Sequence, residues 1–139
     1  MQHHSSLQGK TALITGGGRG IGLAIALRFA EAGANIVVVT KENSINSANR
    51  LSSIAEQIKA VGAKTLVIDA DLSDPNAIDQ AVHSAISQFG SLDILVNNVS
   101  AFCFTGTLET SIEQFDRMPS IRVCHSSKIY LHPVFQVKK

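Results

Sequence analysis

Cysteine and long apolar runs are scarce in this sequence. Its 139 residues contain two cysteines, Cys103 and Cys124, with neither C-x-x-C spacing nor neighbouring metal ligands. Free thiols in a reducing compartment are therefore expected, although the sequence leaves a disulfide open. No apolar run approaches the ~18 residues of a membrane span, and the N-terminal residues lack a signal-peptide pattern. We expect a cytoplasmic chain that binds no metal and no membrane.

A charge excess of one sign is also missing. Twelve Lys and Arg residues stand against eleven Asp and Glu, which leaves a formal charge of +1, and the longest basic cluster is the terminal pair Lys138 and Lys139. This balance indicates no nucleic-acid partner. A hydrophobic fraction of 45% is enough to bury the core of one domain. Small molecules or proteins are the expected partners.

The sequence does contain a regular alternation of buried strands and amphipathic helices. The strand-like segments are "TALIT", "NIVVVT", "KTLVIDADL" and "SLDILVNNVS". Three helical patterns lie between them. The order βαβαβαβ with short turns predicts right-handed crossovers and an α/β fold, a Rossmann-type doubly wound parallel sheet with strand order 3-2-1-4.

Each helical pattern has its own markers. The first is expected to be mostly buried and to end at Gly33, and the third begins with Asp74 as N-cap, has Pro75 at its first position and leaves His83 exposed. The apolar residues expected to be buried are Ile21, Ala24, Ile25, Leu27, Phe29 and Ala32 in the first helix, and Leu51, Ile54, Ala55, Ile58 and Val61 in the second.

The glycine-rich stretch "TGGGRGIG", residues 15–22, joins the first strand to the first helix. Its glycines permit a tight turn with positive φ and allow the backbone to approach a pyrophosphate. The helix N-terminus adds free N–H groups and the positive end of the helix dipole. A packed turn without a ligand is the alternative, which the surrounding βαβ series disfavours.

Three motifs together resemble the short-chain dehydrogenase/reductase family. They are the glycine stretch as T-G-x-x-x-G-x-G, Asp71-Leu72 after the third strand, and Asn97-Asn98-Val99-Ser100 after the fourth. The resemblance covers Gly9 to about Met118 and is greatest to the hydroxysteroid-dehydrogenase-like branch. It implies an oxidoreductase that uses a nicotinamide dinucleotide to interconvert a carbonyl and an alcohol.

The resemblance also implies where the cofactor binds. It assigns Gly16, Gly18, Arg19 and Ile21 to the pyrophosphate, Asp71 and Leu72 to the adenine, and Asn98 and Val99 to the ribose and nicotinamide. Gly20 and Gly22 of the same loop are also expected to bind the cofactor. For Asn97 we expect a structural role, because an amide at the end of a buried strand can satisfy backbone groups of its neighbour.

The choice of nicotinamide cofactor depends on the end of the second strand. NAD-selective folds place a carboxylate there, whereas this sequence has Thr40 followed by Lys41. Lys41 and Arg19 would attract a 2′-phosphate, so NADP(H) is preferred. NAD(H) stays open, because Lys41 can also be read as a solvated loop lysine and Glu42 stands beside it.

The catalytic residues of the family are missing from these 139 residues. The family pairs a tyrosine and a lysine as Tyr-x-x-x-Lys, but the single tyrosine, Tyr130, is followed four positions later by Val134, and Lys128 precedes it. No catalytic residue is assigned, and His125 and His132 lack a third metal ligand. Two hypotheses follow: the cofactor-binding half of an oxidoreductase, or a truncated non-catalytic dinucleotide-binding fragment.

Residues 1–118 are predicted to form the Rossmann segment, and residues 119–139 to be an aberrant tail. A frameshift or a gene-model error would explain the change of character after Met118, in which case the neighbouring reading frame should encode the missing motifs. A sheet of only four strands would expose its fourth strand at the edge. Low stability or association into a homo-oligomer is therefore expected.

Overall fold

The computed structural model describes residues 6–43, 45–99 and 112–113, in which strands and helices alternate along the chain. Their bounds, in chain order, are β1 Thr11–Thr15, α1 Gly20–Glu31, β2 Asn35–Thr40, α2 Ser47–Ala60, β3 Thr65–Asp69, α3 Pro75–Phe89 and β4 Ile94–Val96. The predicted order of elements is therefore confirmed. Cys103, Cys124, Tyr130 and the segment 119–139 lie outside the described residues.

The four strands form one parallel sheet in the order β3-β2-β1-β4, as predicted. Leu13 of β1 is in register with Val37 of β2 on one side and with Leu95 of β4 on the other. β1 is thus an inner strand, and β4 lies at the edge of the sheet as far as the structure describes it. All carboxyl ends of the strands meet at one edge.

Both faces of the sheet are covered by helices. Val37 and Val39 of β2 pack with residues of α3, whereas Ile36 and Val38 pack with residues of α1 and α2. Successive side chains of a strand point to opposite faces, so a strand covered on both sides is apolar throughout. The apolar segment "NIVVVT" is therefore a strand that is covered on both faces.

The buried face of α1 differs from the prediction. Its buried residues are Gly22, Ala26 and Ala30, whereas Ala24 is exposed and Ile21 is 74% exposed. These small residues face the sheet because they let the helix backbone approach it closely. The larger aliphatic residues of α1 lie to either side of them. In α2, Ile54 and Ile58 are buried as expected, but Val61 follows the last helical residue and is exposed.

Helix α3 begins as the sequence predicts. The Asp74 side chain accepts a hydrogen bond from the backbone N–H of Asn76 at 2.9 Å, and Pro75 is the first helical residue. Gly90 ends the helix in the left-handed region, with φ +81°. His83 is exposed, and its Nδ1 lies 2.7 Å from the backbone oxygen of Asp79. Among the described residues, no helix is long and apolar enough to cross a membrane.

Candidate functional site

The candidate site lies at the carboxyl ends of β1 and β4. The chain leaves β1 through the glycine loop toward α1 on one side, while Asn98 and Val99 follow β4 on the other. In the order β3-β2-β1-β4, the direction of strand addition changes between β1 and β4. Open α/β sheets bind their ligands in the crevice outside the strand ends at such a switch point.

Thr15 connects the two strand ends. It is fully buried, and its Oγ1 accepts hydrogen bonds from the backbone N–H groups of Asn98 at 3.1 Å and Val99 at 3.3 Å. The same hydroxyl lies 3.3 Å from the carbonyl oxygen of Val96, to which it donates. Thr15 was not among the residues predicted to bind the cofactor. Its position in the sequence, as the last residue of β1 before the glycines, is the signal that could have identified it.

Gly16 and Gly22 make the loop close-packed. Gly16 has φ +64°, and a Cβ on Gly22 would lie 2.3 Å from the carbonyl oxygen of Gly16 and 2.5 Å from the Asn98 amide nitrogen. A side chain at Gly22 is therefore incompatible with this loop conformation. The first turn of α1 thus packs directly on the backbone that leaves β1.

Asn98, and not Asn97, makes the structural contact expected of the asparagine pair. The Asn98 Nδ2 donates to the carbonyl oxygen of Gly16 at 3.1 Å, whereas Asn97 is exposed. The expectation for Asn97 was wrong by one residue, because successive side chains at a strand end point in opposite directions. Asn98 therefore fixes the loop from the β4 side.

The N-terminus of α1 has no side-chain cap. Arg19 occupies the N-cap position without a capping hydrogen bond, and the first turn, from Gly20, contains no acidic residue. The first N–H groups of a helix have no partner within the helix, and the helix dipole is positive there. An anionic group can bind at this end of the helix. The exposed Ile21 lies in the same first turn.

The end of β2 carries Lys41, which forms an ion pair with Asp71. This contact, followed by hydrogen bonds from the side chain and the backbone of Ser73, holds the pKa of the Asp71 carboxyl well below its usual range. Lys41 is thus neither an isolated cation nor a merely solvated lysine. Leu72, the next residue, is buried in the core with the residues of α3.

Arg19 also has a carboxylate partner. Its Nη2 lies 3.3 Å from Oε1 of Glu42, and the Nε of Arg50 lies 3.2 Å from the same oxygen. The Thr40 hydroxyl is 3.4 Å from this oxygen as well. The Glu42 side chain is only 3% exposed. Arg19 and Lys41, the two cations predicted to attract a 2′-phosphate, thus each have a carboxylate partner.

Arg50 was missed by the sequence analysis. It lies in the first turn of α2, which follows β2, so the start of this helix comes close to the end of the strand. A basic residue at the start of the helix after the second strand is the signal that could have identified it. In the residues that the structure describes, no group of three or more His, Cys, Asp or Glu side chains is arranged to hold a metal ion.

Comparison with known proteins agrees with this geometry. A family model for short chain dehydrogenases matches residues 10–130. The chain is 47% identical over 117 residues to hydroxysteroid dehydrogenase-like protein 2 of Xenopus laevis. It is 44% identical over 117 residues to the protein of that name from Homo sapiens. Each alignment covers 83% of this chain and 28% of the relative.

Solved structures show the same fold. A short-chain dehydrogenase/reductase from Serratia marcescens is 41% identical, with a TM-score of 0.80, over 91% of this chain and 51% of that protein. A blue fluorescent protein from a metagenomic library, solved in complex with NADPH, is 36% identical with a TM-score of 0.81, over 91% of this chain and 50% of that protein. The chain spans about half the length of these structures and 28% of the curated relatives. It belongs to the short-chain dehydrogenase/reductase family.

Proposed function

We propose that this chain binds a nicotinamide dinucleotide across the carboxyl ends of β1 and β4, as the cofactor-binding part of an oxidoreductase that interconverts a carbonyl and an alcohol. The observation that carries the proposal is the loop from Gly16 to Gly22, which Asn98 fixes beside an uncapped helix N-terminus. This arrangement offers backbone N–H groups to a pyrophosphate at the switch point of the sheet.

The other predicted contacts follow from this placement. Asp71 and the main chain of Leu72 stand at the end of β3, where the adenine would bind, while Asn98 and Val99 stand after β4, where the ribose and nicotinamide would bind. The Leu72 side chain is in the core, so its main chain makes the contact. When bound, the dinucleotide supplies the hydride, and these residues bind and orient it.

We also propose a preference for NADP(H) over NAD(H). Thr40 is not acidic, so the last residue of β2 supplies no carboxylate of the kind that binds a ribose 2′-hydroxyl in NAD-selective folds. Arg19 and Lys41 flank this position, and both side chains keep 40% or more of their surface exposed. Although each is paired with a carboxylate, a guanidinium has five N–H donors and an ammonium three, so both can also bind a phosphate.

A second proposal concerns these 139 residues alone. They contain no Tyr-x-x-x-Lys, which supplies the general acid in the family. We propose that they bind dinucleotide without turning over a substrate. The oxidoreductase reaction, on a small carbonyl or alcohol, is proposed for the longer polypeptides of the family. The cytoplasmic location, the homo-oligomer and the boundary near Met118 also stay predictions.

The experiment is a calorimetric titration of the purified chain with NADPH and with NADH. We expect NADPH to bind more tightly, and Gly20→Asp to abolish binding of both, because a carboxylate at the helix N-terminus would repel the pyrophosphate. NADPH oxidation is then measured with a panel of carbonyl compounds, and none is expected. Turnover that Gly20→Asp abolishes would contradict the non-catalytic proposal. Failure of the wild-type chain to bind either dinucleotide would refute the cofactor site.

A further inference from the structure

A second arginine joins Arg19 at the end of β2. The Nε of Arg50 and the Nη2 of Arg19 both contact Oε1 of Glu42, at 3.2 and 3.3 Å. The carboxylate of Glu42 therefore lies between two guanidinium groups. These groups come from different elements, since Arg19 precedes α1 and Arg50 lies in the first turn of α2.

The charges in this cluster are unevenly exposed. The Glu42 side chain is 3% exposed, whereas those of Arg19 and Arg50 are 66% and 43% exposed. The negative group is thus buried behind the two positive groups, which present their remaining N–H donors to solvent. A guanidinium that a carboxylate already orients loses less conformational entropy when it binds a second anion.

The cluster is also attached to the glycine loop. The Nη2 of Arg50 lies 3.5 Å from the carbonyl oxygen of Gly18, and a Cβ on Gly18 would lie 3.0 Å from the Thr40 hydroxyl. Arg50 therefore reaches the same corner of the site as Thr40, where a ribose 2′-substituent would lie if the proposed cofactor site is correct.

The other carboxylates near this corner already have partners. Asp71 is paired with Lys41, and Asp69 accepts a hydrogen bond from the backbone N–H of Glu42 at 3.1 Å. Neither carboxylate contacts Arg50, whose hydrogen bonds are to Glu42 and to Gly18. An anion that approaches Arg50 from solvent thus meets its guanidinium before it meets the buried carboxylate.

We infer that Arg50 is a specificity-determining residue for NADP(H). Like Arg19 and Lys41, it contacts the 2′-phosphate of the cofactor. The inference rests on the proposed cofactor site. Arg50 lies outside both the glycine motif and β2. Its contacts with Glu42 and Gly18 place it at this corner of the site. A planar guanidinium suits a phosphate because it can donate two parallel hydrogen bonds.

The test compares ligands that differ only in the 2′-phosphate. Dissociation constants are measured by calorimetry for NADPH and NADH, and for adenosine 2′,5′-bisphosphate and adenosine 5′-monophosphate. For Arg50→Gln we expect NADPH and the bisphosphate to bind about tenfold more weakly, on the scale of one charge-assisted hydrogen bond. NADH and the monophosphate should bind within about twofold of wild type, because they lack the phosphate that Arg50 binds.

Arg28→Gln is the matched control. Arg28 is also an exposed arginine paired with a carboxylate, that of Glu31, but it lies in the last turn of α1, away from the glycine loop. Its substitution should leave all four dissociation constants within about twofold of wild type. Arg50→Lys keeps the charge without the planar fork, and we expect a loss of NADPH affinity of about threefold.

The outcomes separate the inference from the function on which it rests. If the wild-type chain binds NADPH and Arg50→Gln weakens NADPH and NADH equally, or neither, the inference is wrong while the cofactor site stands. If the wild-type chain binds neither dinucleotide, both are wrong. Thermal unfolding of each variant checks its folding, and Arg50→Lys, which keeps a cation beside Glu42, decides the matter should Arg50→Gln unfold.

Discussion

The side-chain amide of Asn98 donates a hydrogen bond to the carbonyl oxygen of Gly16 at 3.1 Å. Gly16 belongs to the loop that follows β1, and Asn98 follows β4, so this bond crosses the switch point of the sheet. This partly buried hydrogen bond joins the glycine loop to the residues that follow β4.

Asn98→Ala should weaken dinucleotide binding and lower the free energy of unfolding by about 1 kcal/mol, because the carbonyl oxygen of Gly16 loses its side-chain donor. Asn97→Ala is the control, since Asn97 is the exposed neighbour of the same residue type. Its unfolding free energy should stay within about 0.5 kcal/mol of wild type. Urea unfolding and NADPH titration measure both effects. Equal effects of the two substitutions would show that the Asn98 contact does not matter.

Gly22→Ala should abolish dinucleotide binding, because the new methyl group would lie 2.3 Å from the carbonyl oxygen of Gly16 and force the loop to move. Overpacking of this kind costs about 1 to 3 kcal/mol of stability. Gly62→Ala is the matched control. Gly62 has φ +90° but nothing within 4 Å of a Cβ, so the substitution introduces backbone strain without a clash.

Strain at a positive φ costs about 1 to 2 kcal/mol. Both glycine variants should therefore unfold more easily, but Gly62→Ala should bind NADPH as wild type does. Calorimetry on both proteins, below their unfolding temperatures, makes the comparison. Normal NADPH affinity in Gly22→Ala would mean that the close packing of the loop is not required for the cofactor.

The topology of the sheet was predictable from local patterns. Apolar strands, the Asp74-Pro75 start of α3 and the glycines that end helices are properties of short segments, and together they imply a parallel sheet. The buried face of α1 was not predictable in the same way. This helix has apolar residues on all of its faces, so its sequence pattern does not show which face is buried. Packing against the sheet buries Ala26 and Ala30 and leaves Ile21 exposed.

The electrostatics of the site were predicted less well than its backbone. The positive charges of Arg19 and Lys41 are visible in the sequence, but their partners depend on the fold. Lys41 pairs with Asp71, which is 30 residues away and comes close because β2 and β3 are neighbours. Arg50 meets Glu42 because α2 begins beside the end of β2. Contacts of this kind follow from topology rather than from spacing.

The ion pair between Lys41 and Asp71 predicts a pH dependence of stability. Because Lys41 and then Ser73 lower the pKa of the Asp71 carboxyl, the folded state favours the ionised form. A group whose pKa is lower in the folded state stabilises the protein above its unfolded pKa, about 4, and this contribution is lost as the pH falls. The contribution of Asp71 to the free energy of unfolding should therefore be fully present at pH 7 and decrease below pH ~4.

Asp71→Asn should accordingly lower the free energy of unfolding at pH 7, and the difference from wild type should shrink as the pH falls below about 4. We expect about 0.5 to 1 kcal/mol at pH 7, because the pair is half exposed and screened by solvent. Glu56→Gln, an exposed carboxylate on α2, is the control. Chemical unfolding across the pH range gives both curves. If the difference in unfolding free energy between wild type and Asp71→Asn instead grows as the pH falls, the ionised Asp71 is not the source of the stabilisation.

Thr15→Val removes the hydroxyl that joins β1 to the residues after β4 while keeping the shape of the side chain. The backbone N–H groups of Asn98 and Val99 then lose their acceptor, so we expect a loss of about 2 kcal/mol in the free energy of unfolding and weaker dinucleotide binding. Thr11→Val is the matched control in the same strand. Thr11 is equally buried, but its hydroxyl accepts only a long bond, 3.4 Å, from the Asn35 amide.

The gain in strand propensity from threonine to valine is similar at the two positions, so the comparison isolates the hydrogen bonds. Thr11→Val should lower the free energy of unfolding by less than about 1 kcal/mol and leave NADPH binding unchanged, because it lies at the opposite end of β1 from the glycine loop. Urea unfolding and calorimetry of the two variants separate the effects. If Thr11→Val weakens NADPH binding as much as Thr15→Val does, general weakening of the strand, and not the contact to Asn98 and Val99, controls the site.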